Sequence, residues 1–267
     1  MYLKILVLAA LLVMVGFLFK KPSNDRDWNT DQAVLPYAEI NGDLASIHNI
    51  RNFTYTSADD YIPAYYDKTF DLSKLEKVYF IVEPFGDSQY AGHTFLSFEF
   101  SGNQFVSISI EIRKEKGEKY SPFKGLFKQY ELMYVIADER DVVKLRTNYR
   151  KDRVYIYPVK TTPEKIRSVF LDMIGRTNQL RDKPEFYNTL TNNCSNNIVE
   201  HVNKIAPKRV PFSLKYVFPA RADELAYSLG LIDTDLPFLE AKAKYLVTDK
   251  ALQYADDPEF SVKIRED

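Results

Sequence analysis

Residues 93–113 constrain the fold more than any other part of the chain. His93–Phe100 (HTFLSFEF) and Gln104–Arg113 (QFVSISIEIR) are rich in aromatic and β-branched residues, and Ser101-Gly102-Asn103 joins them. Such a pair reads as a β-hairpin. Side chains alternate between the two faces of a strand. The even positions Thr94, Leu96, Phe98, Phe100, Val106, Ile108, Ile110 and Ile112 are almost wholly apolar and predict a core face. The odd positions carry His93, Phe95, Ser97, Glu99, Phe105, Ser107, Ser109, Glu111 and Arg113. A three-residue loop makes paired residue numbers sum to 204, which sets His93 opposite Glu111; a shifted register would bring Ser109 or Arg113 nearest instead. The odd face reads in two ways. It is the solvated side of an antiparallel sheet, or it holds an imidazole oriented by a neighbouring carboxylate or hydroxyl as a general base.

Further strands are expected at Leu75–Val82, Leu132–Ala137, Val142–Thr147 and Arg153–Val159, with Asp138–Asp141 as a turn and Pro158 marking an edge. Helical spacing then takes over at Pro163–Leu180, Cys194–Ile205 and Pro219–Leu229. Strands first and helices later give an α+β domain.

The N-terminus adds a membrane element. Ile5–Phe19 is an unbroken apolar run between Lys4 and Lys20-Lys21, near the lower limit for crossing a bilayer. No small-x-small cleavage site follows it, so residues 1–21 read as an uncleaved signal anchor rather than a cleaved leader. Residues 22–45 then read as a polar stalk with Trp28 and Tyr37 as anchors, and residues 46–267 as one domain. This reads as a single-pass membrane protein with residues 22–267 facing outward. A net charge of −1 without a basic stripe speaks against a nucleic-acid partner.

The chain has one cysteine, Cys194. It is inert and buried, bridges to another molecule, or is chemically used. Thr191, Asn192 and Asn193 can cap a helix start and put Cys194 in the first turn, where the helix dipole favours a thiolate. The apolar stripe begins only at Ile198. A nucleophile paired with the strand histidine is the sharper reading. Cys194 is then the nucleophile and His93 the base, with Glu111 or Ser109 orienting the ring. Candidates for oxyanion or substrate contacts are the Cys194 backbone N–H, Asn193, Tyr187, Ser97 and Arg113. His201 lies seven residues along the same helix, about 10 Å away, and reads as a surface or packing residue. His48 has little claim to a role. Three dispersed histidines and one cysteine show no metal-ligand spacing. A Gly-rich phosphate loop and a G-x-S-x-G elbow are absent from the sequence.

A histidine strand preceding a cysteine helix resembles the circularly permuted papain-like enzymes, including permuted NlpC-type and lecithin:retinol acyltransferase-like proteins. The segments IRNFTY (Ile50–Tyr55), AGHTFLSFEF (Ala91–Phe100), Ser107–Arg150 and PEFYNTLTNNCSNN (Pro184–Asn197) look more closely like the Lnb N-terminal periplasmic domain family, over roughly residues 25–265. That resemblance implies an antiparallel sheet with the nucleophile helix packed on it and no cofactor. It also implies lipoprotein N-acylation: an acyl chain passes from a phospholipid to Cys194 as a thioester, then to the α-amine of a lipoprotein. Many members carry a C-terminal bundle of membrane helices, whereas this chain ends in FSVKIRED. A different acyl acceptor or a membrane-protein partner is therefore open. A peptidoglycan amidase or peptidase, a phospholipase, and a non-catalytic envelope-binding module are the alternatives.

Overall fold

The computed structural model describes residues 19–206 and 209–266. Among the described residues, ten strands and eight α-helices follow in chain order. The strands are β1 (Tyr37–Asn41), β2 (Leu44–Arg51), β3 (Thr54–Tyr55), β4 (Tyr61–Ile62), β5 (Tyr65–Asp71), β6 (Leu75–Pro84), β7 (Gly92–Phe100), β8 (Gln104–Arg113), β9 (Glu131–Ala137) and β10 (Tyr155–Pro158). The helices are α1 (Glu139–Lys144), α2 (Pro163–Asp182), α3 (Cys194–Ile205), α4 (Leu214–Val217), α5 (Ala222–Ser228), α6 (Phe238–Lys244), α7 (Thr248–Gln253) and α8 (Phe260–Lys263).

One eight-stranded sheet runs in the order β1-β2-β9-β8-β7-β6-β10, with β5 on β2. Every pairing is antiparallel except a single parallel contact, Arg51↔Ala137, between β2 and β9. The fold is therefore α+β, as the order of elements implies. β7 and β8 pair as Phe95↔Ser109 through Phe100↔Gln104, so paired numbers sum to 204. Positive φ at Gly102 and Asn103 closes the turn. β10 is an edge strand, which accommodates Pro158.

Helices cover both faces of the sheet. The even-numbered face (Leu96, Phe98, Ile108, Ile110) packs on Ile166, Phe170 and Met173 of α2 and on Cys194 and Ile198 of α3. The odd-numbered face packs on Val142 and Val143 of α1, Ala251 of α7 and Phe260 of α8. The solvated reading of the odd face is thus wrong, because α1, α7 and α8 form a second layer over it. The Cys194 helix, α3, lies on the opposite, even face.

Two further expectations are corrected. Residues 142–147 form no strand. Asp138 caps α1 by accepting from the Arg140 N–H at 2.9 Å, and the fully buried Val142, Val143 and Arg146 follow helical rather than alternating spacing. Residues 22–45 form no separate stalk: Trp28 is buried, β1 and the start of β2 join the sheet, and Arg113 ties the segment down. The Arg113 guanidinium lies 4.2 Å from the Trp28 ring centroid and donates to the Gln32 and Ala33 carbonyls. The anchor expected at residues 1–21 lies almost wholly outside the described residues. Among the described residues, no helix is long and apolar enough to cross a membrane.

Candidate active site

Cys194 opens α3. Asn193 is the N-cap: its side chain accepts from the Asn196 N–H at 2.9 Å, and Asn196 returns a bond to the Asn193 N–H, a reciprocal capping box. The cap leaves the Cys194 and Ser195 N–H groups as first-turn donors that the helix itself cannot satisfy. The Asn193 carboxamide also donates to the Thr189 carbonyl at 2.8 Å and to that of Val217. With its donors engaged, Asn193 positions the helix and does not offer an oxyanion contact.

His93 enters from β7. The β7–β8 ladder stops at Phe95↔Ser109, whereas β6–β7 continues to Pro84↔Gly92 and β8–β9 to Arg113↔Glu131. The two central strands therefore part at the level of His93. Gly92 permits the backbone to pass there, because a Cβ would lie 2.9 Å from the Glu83 carbonyl oxygen and 3.0 Å from the Ala220 nitrogen. Ser109 Oγ lies 2.7 Å from His93 Nε2 and donates to Glu111 Oε1 at 2.7 Å; that carboxylate oxygen is also 3.2 Å from Nε2. The single Ser109 proton goes to Glu111, so Nε2–H donates to Ser109 and Nδ1 is free to take a proton.

The ring is coupled to the thiol. Burial would raise the Cys194 pKa, but the His93 charge, together with hydrogen bonds to His93 and Thr94, outweighs it and holds the thiol below its ordinary value. Burial would lower His93, but Glu111 and Cys194 outweigh it and push the ring up to about 9. Opposite shifts of this kind favour a thiolate–imidazolium pair. Burial likewise opposes ionisation of Glu111, yet His93 and Arg146 hold its carboxyl well below the usual range.

Arg146 is the residue that sequence reasoning missed. From the turn after α1 it donates to Glu111 at 2.8 Å and to the fully buried Glu83 at 2.6 Å, so it bridges both carboxylates behind the ring. Reading residues 142–147 as a strand hid it, whereas helical phasing places it on the buried face with Val142 and Val143. Tyr120 was missed as well. It hydrogen-bonds Tyr187, and the field of Cys194 reaches both hydroxyls. Tyr187 is thus within the electrostatic reach of the thiol.

Ser97 and Arg113 lie elsewhere. Ser97 donates to Glu139, which pairs with Arg265, four residues or about 13 Å along β7 from His93. Arg113 is engaged with Trp28, as above. His48 is at the surface, paired with Asp67 at 2.8 Å. His201 is buried between Tyr134 and Asp172, a packing residue and not a surface one. Among the described residues, no group of three His, Cys, Asp or Glu side chains could hold a metal ion.

A cavity of about 560 Å³ lies beside α3. Leu96, Ile166, Val169, Ile198 and Val202 supply apolar wall, and Ser195 lines it at the thiol end. Ser195 Oγ is 4.0 Å from Cys194 Sγ and 2.8 Å from Thr94 Oγ1.

His93, Ser109, Glu111, Arg146 and Cys194 all fall within residues 61–220, which match the Lnb N-terminal periplasmic domain. The chain belongs to that family. The match covers about three-fifths of the chain, and its name places the domain in the periplasm. It is shorter than the resemblance read from the sequence, leaving out β1, β2, β3 and the helices that follow Ala220. No curated protein and no solved structure matches the chain.

Proposed function

We propose that the protein is a cysteine-dependent acyltransferase working at the periplasmic membrane surface, with the histidine-before-cysteine order of a permuted papain-like enzyme. The coupling of Cys194 to a His93 ring held by Ser109 and Glu111 carries this reading. His93 Nδ1 takes the thiol proton, and the thiolate attacks the carbonyl carbon of a phospholipid ester. The ester C–O bond breaks, the leaving oxygen takes the proton from His93, and a thioester remains. The α-amine of a lipoprotein then attacks. Its proton passes to His93, the C–S bond breaks and the thiolate returns. The Cys194 N–H is a donor suited to the developing oxyanion. The cavity favours a lipid acyl group over a peptide, because its walls are largely apolar and its volume is that of a small-ligand site.

Intact-mass measurement of protein from membranes tests this. An acyl adduct on Cys194 that hydroxylamine removes, and that Cys194→Ser lacks, is expected. Muropeptide products in place of an acyl adduct would assign the site to a peptidase. A Cys194→Ala chain that fully replaces the wild type in cells would leave only a binding role.

A further inference from the structure

The segment Lys119–Lys128 (KYSPFKGLFK) lies between β8 and β9 and has no part in the proton path. It exposes Phe123 (70%), Phe127 (49%) and Tyr120 (40%), and Leu190 (46%) is exposed on the neighbouring loop. Phe123 and Phe127 pair edge to face, 5.1 Å apart. Lys119 and Lys124 are exposed as well. Large aromatics interleaved with lysines are the composition of a bilayer interface, where rings enter the headgroup layer and amines meet anionic phosphates.

Three contacts give this patch a partner and a purpose. Lys128 and Lys20 both lie over the Phe186 ring, 5.9 and 5.7 Å from its centroid. In the sequence Lys20 directly follows the apolar run Ile5–Phe19, so the patch lies beside the first residue after that run. The segment also clamps the loop leading into Cys194: Thr189 N–H donates to the Gly125 carbonyl at 3.2 Å, and Thr189 Oγ1 to that of Pro122 at 2.7 Å. A Cβ at 125 would lie 2.4 Å from Thr189 Oγ1, so a larger residue there must displace the Thr189 hydroxyl. Finally, Tyr120 joins the segment to Tyr187, and the charge of Cys194 acts on both.

We propose that Lys119–Lys128 is a docking loop that seats the mouth of the Cys194 site against an anionic bilayer. Docking holds the thiol at the depth of lipid ester groups, and the Gly125–Thr189 clamp ties loop position to the start of α3. The surface is separate from the chemistry, so it stands whether or not Cys194 carries an acyl group.

The test uses the full chain in phosphatidylglycerol-containing nanodiscs with brominated acyl chains, and Phe123→Trp as reporter. The native Trp28 is buried and supplies a constant background. Phe212→Trp, at a 78% exposed site beyond the C-terminal end of α3, is the control. Bromolipid should quench Trp at 123 and spare Trp at 212. Each lysine near an anionic surface contributes about 1 kcal/mol, or roughly fivefold, so Lys119→Glu with Lys124→Glu should cut the docked population more than tenfold. Unchanged alkylation of Cys194 by iodoacetamide would show that the variants are folded. No quenching at 123 in nanodisc-bound protein, or equal quenching at 123 and 212, overturns the proposal and leaves the patch to a protein partner.

Discussion

Two buried histidines lie along α3, and they behave in opposite ways. His93 meets the start of the helix and His201 lies on its second half. Each has a carboxylate within reach: Glu111 Oε1 at 3.2 Å for His93, and Asp172 Oδ2 at 2.5 Å for His201. Burial disfavours the imidazolium at both sites. At His201 burial prevails over Asp172, and the ring is held below its ordinary value. At His93 a second acidic partner, Cys194, adds to Glu111, and the ring is held above it. One carboxylate does not make a buried histidine a base for a thiol; the thiol itself completes the pair.

The largest test of this contrast is removal of each ring. His93→Ala should lower acyl transfer by about 10²–10⁴-fold, the usual worth of a general base. His201→Phe should leave the chemical step within a few-fold. Its cost should appear in urea denaturation, at about 2 kcal/mol, because Tyr134 and Asp172 lose a buried partner. Equal kinetic losses would erase the distinction.

Next in size is Glu111→Gln, measured as the pH dependence of iodoacetamide alkylation. The wild-type rate should rise through a midpoint below the ordinary thiol value of about 8.5, and acyl transfer should fall again as His93 deprotonates near 9. Losing the carboxylate lowers His93, weakens the ion pair and moves the alkylation midpoint upward. An unmoved midpoint would remove Glu111 from the site.

A smaller effect concerns acid stability. The folded pKa of His201 lies below its unfolded value, so its contribution is complete above about 6.5 and is lost as pH falls through the lowered value. His201→Phe should flatten that part of the stability profile. For His93 the sign is reversed: its contribution is present below the unfolded value and is lost as pH rises through about 9. NMR titration should find the two rings on opposite sides of neutrality, and Cys194→Ala should bring His93 downward.

The smallest effect expected is at the cap. Asn193→Ala should cost about 1 kcal/mol of stability and reduce alkylation only modestly, since Asn193 seats the helix and is not expected to contact substrate.

Much of this site could be read from residue order. Period-two alternation and a Ser-Gly-Asn turn gave the hairpin register, and with it Glu111 or Ser109 as the partner of His93; the structure brings both to the ring. The run Thr191-Asn192-Asn193 placed Cys194 at a capped helix start. Arg146 was hidden because Val142-Val143 suits a strand or a helix equally, and only the Asp138 cap and the burial of three helically spaced side chains decide between them. Ser97 and Arg113 were misplaced because sharing a face with His93 does not mean sharing its neighbourhood. Strand rise carries them away, to Glu139 and to Trp28.

By itself, then, the sequence determined what local geometry controls: the alternation of faces, the hairpin register, the capped helix and the lone thiol at its start. Tertiary structure alone decided which layer covers which face, that β7 and β8 part at His93, and that Arg146 stands behind Glu111. Those outcomes depend on contacts between segments distant in the chain, where burial and charge pairing are set by neighbours that no local pattern names.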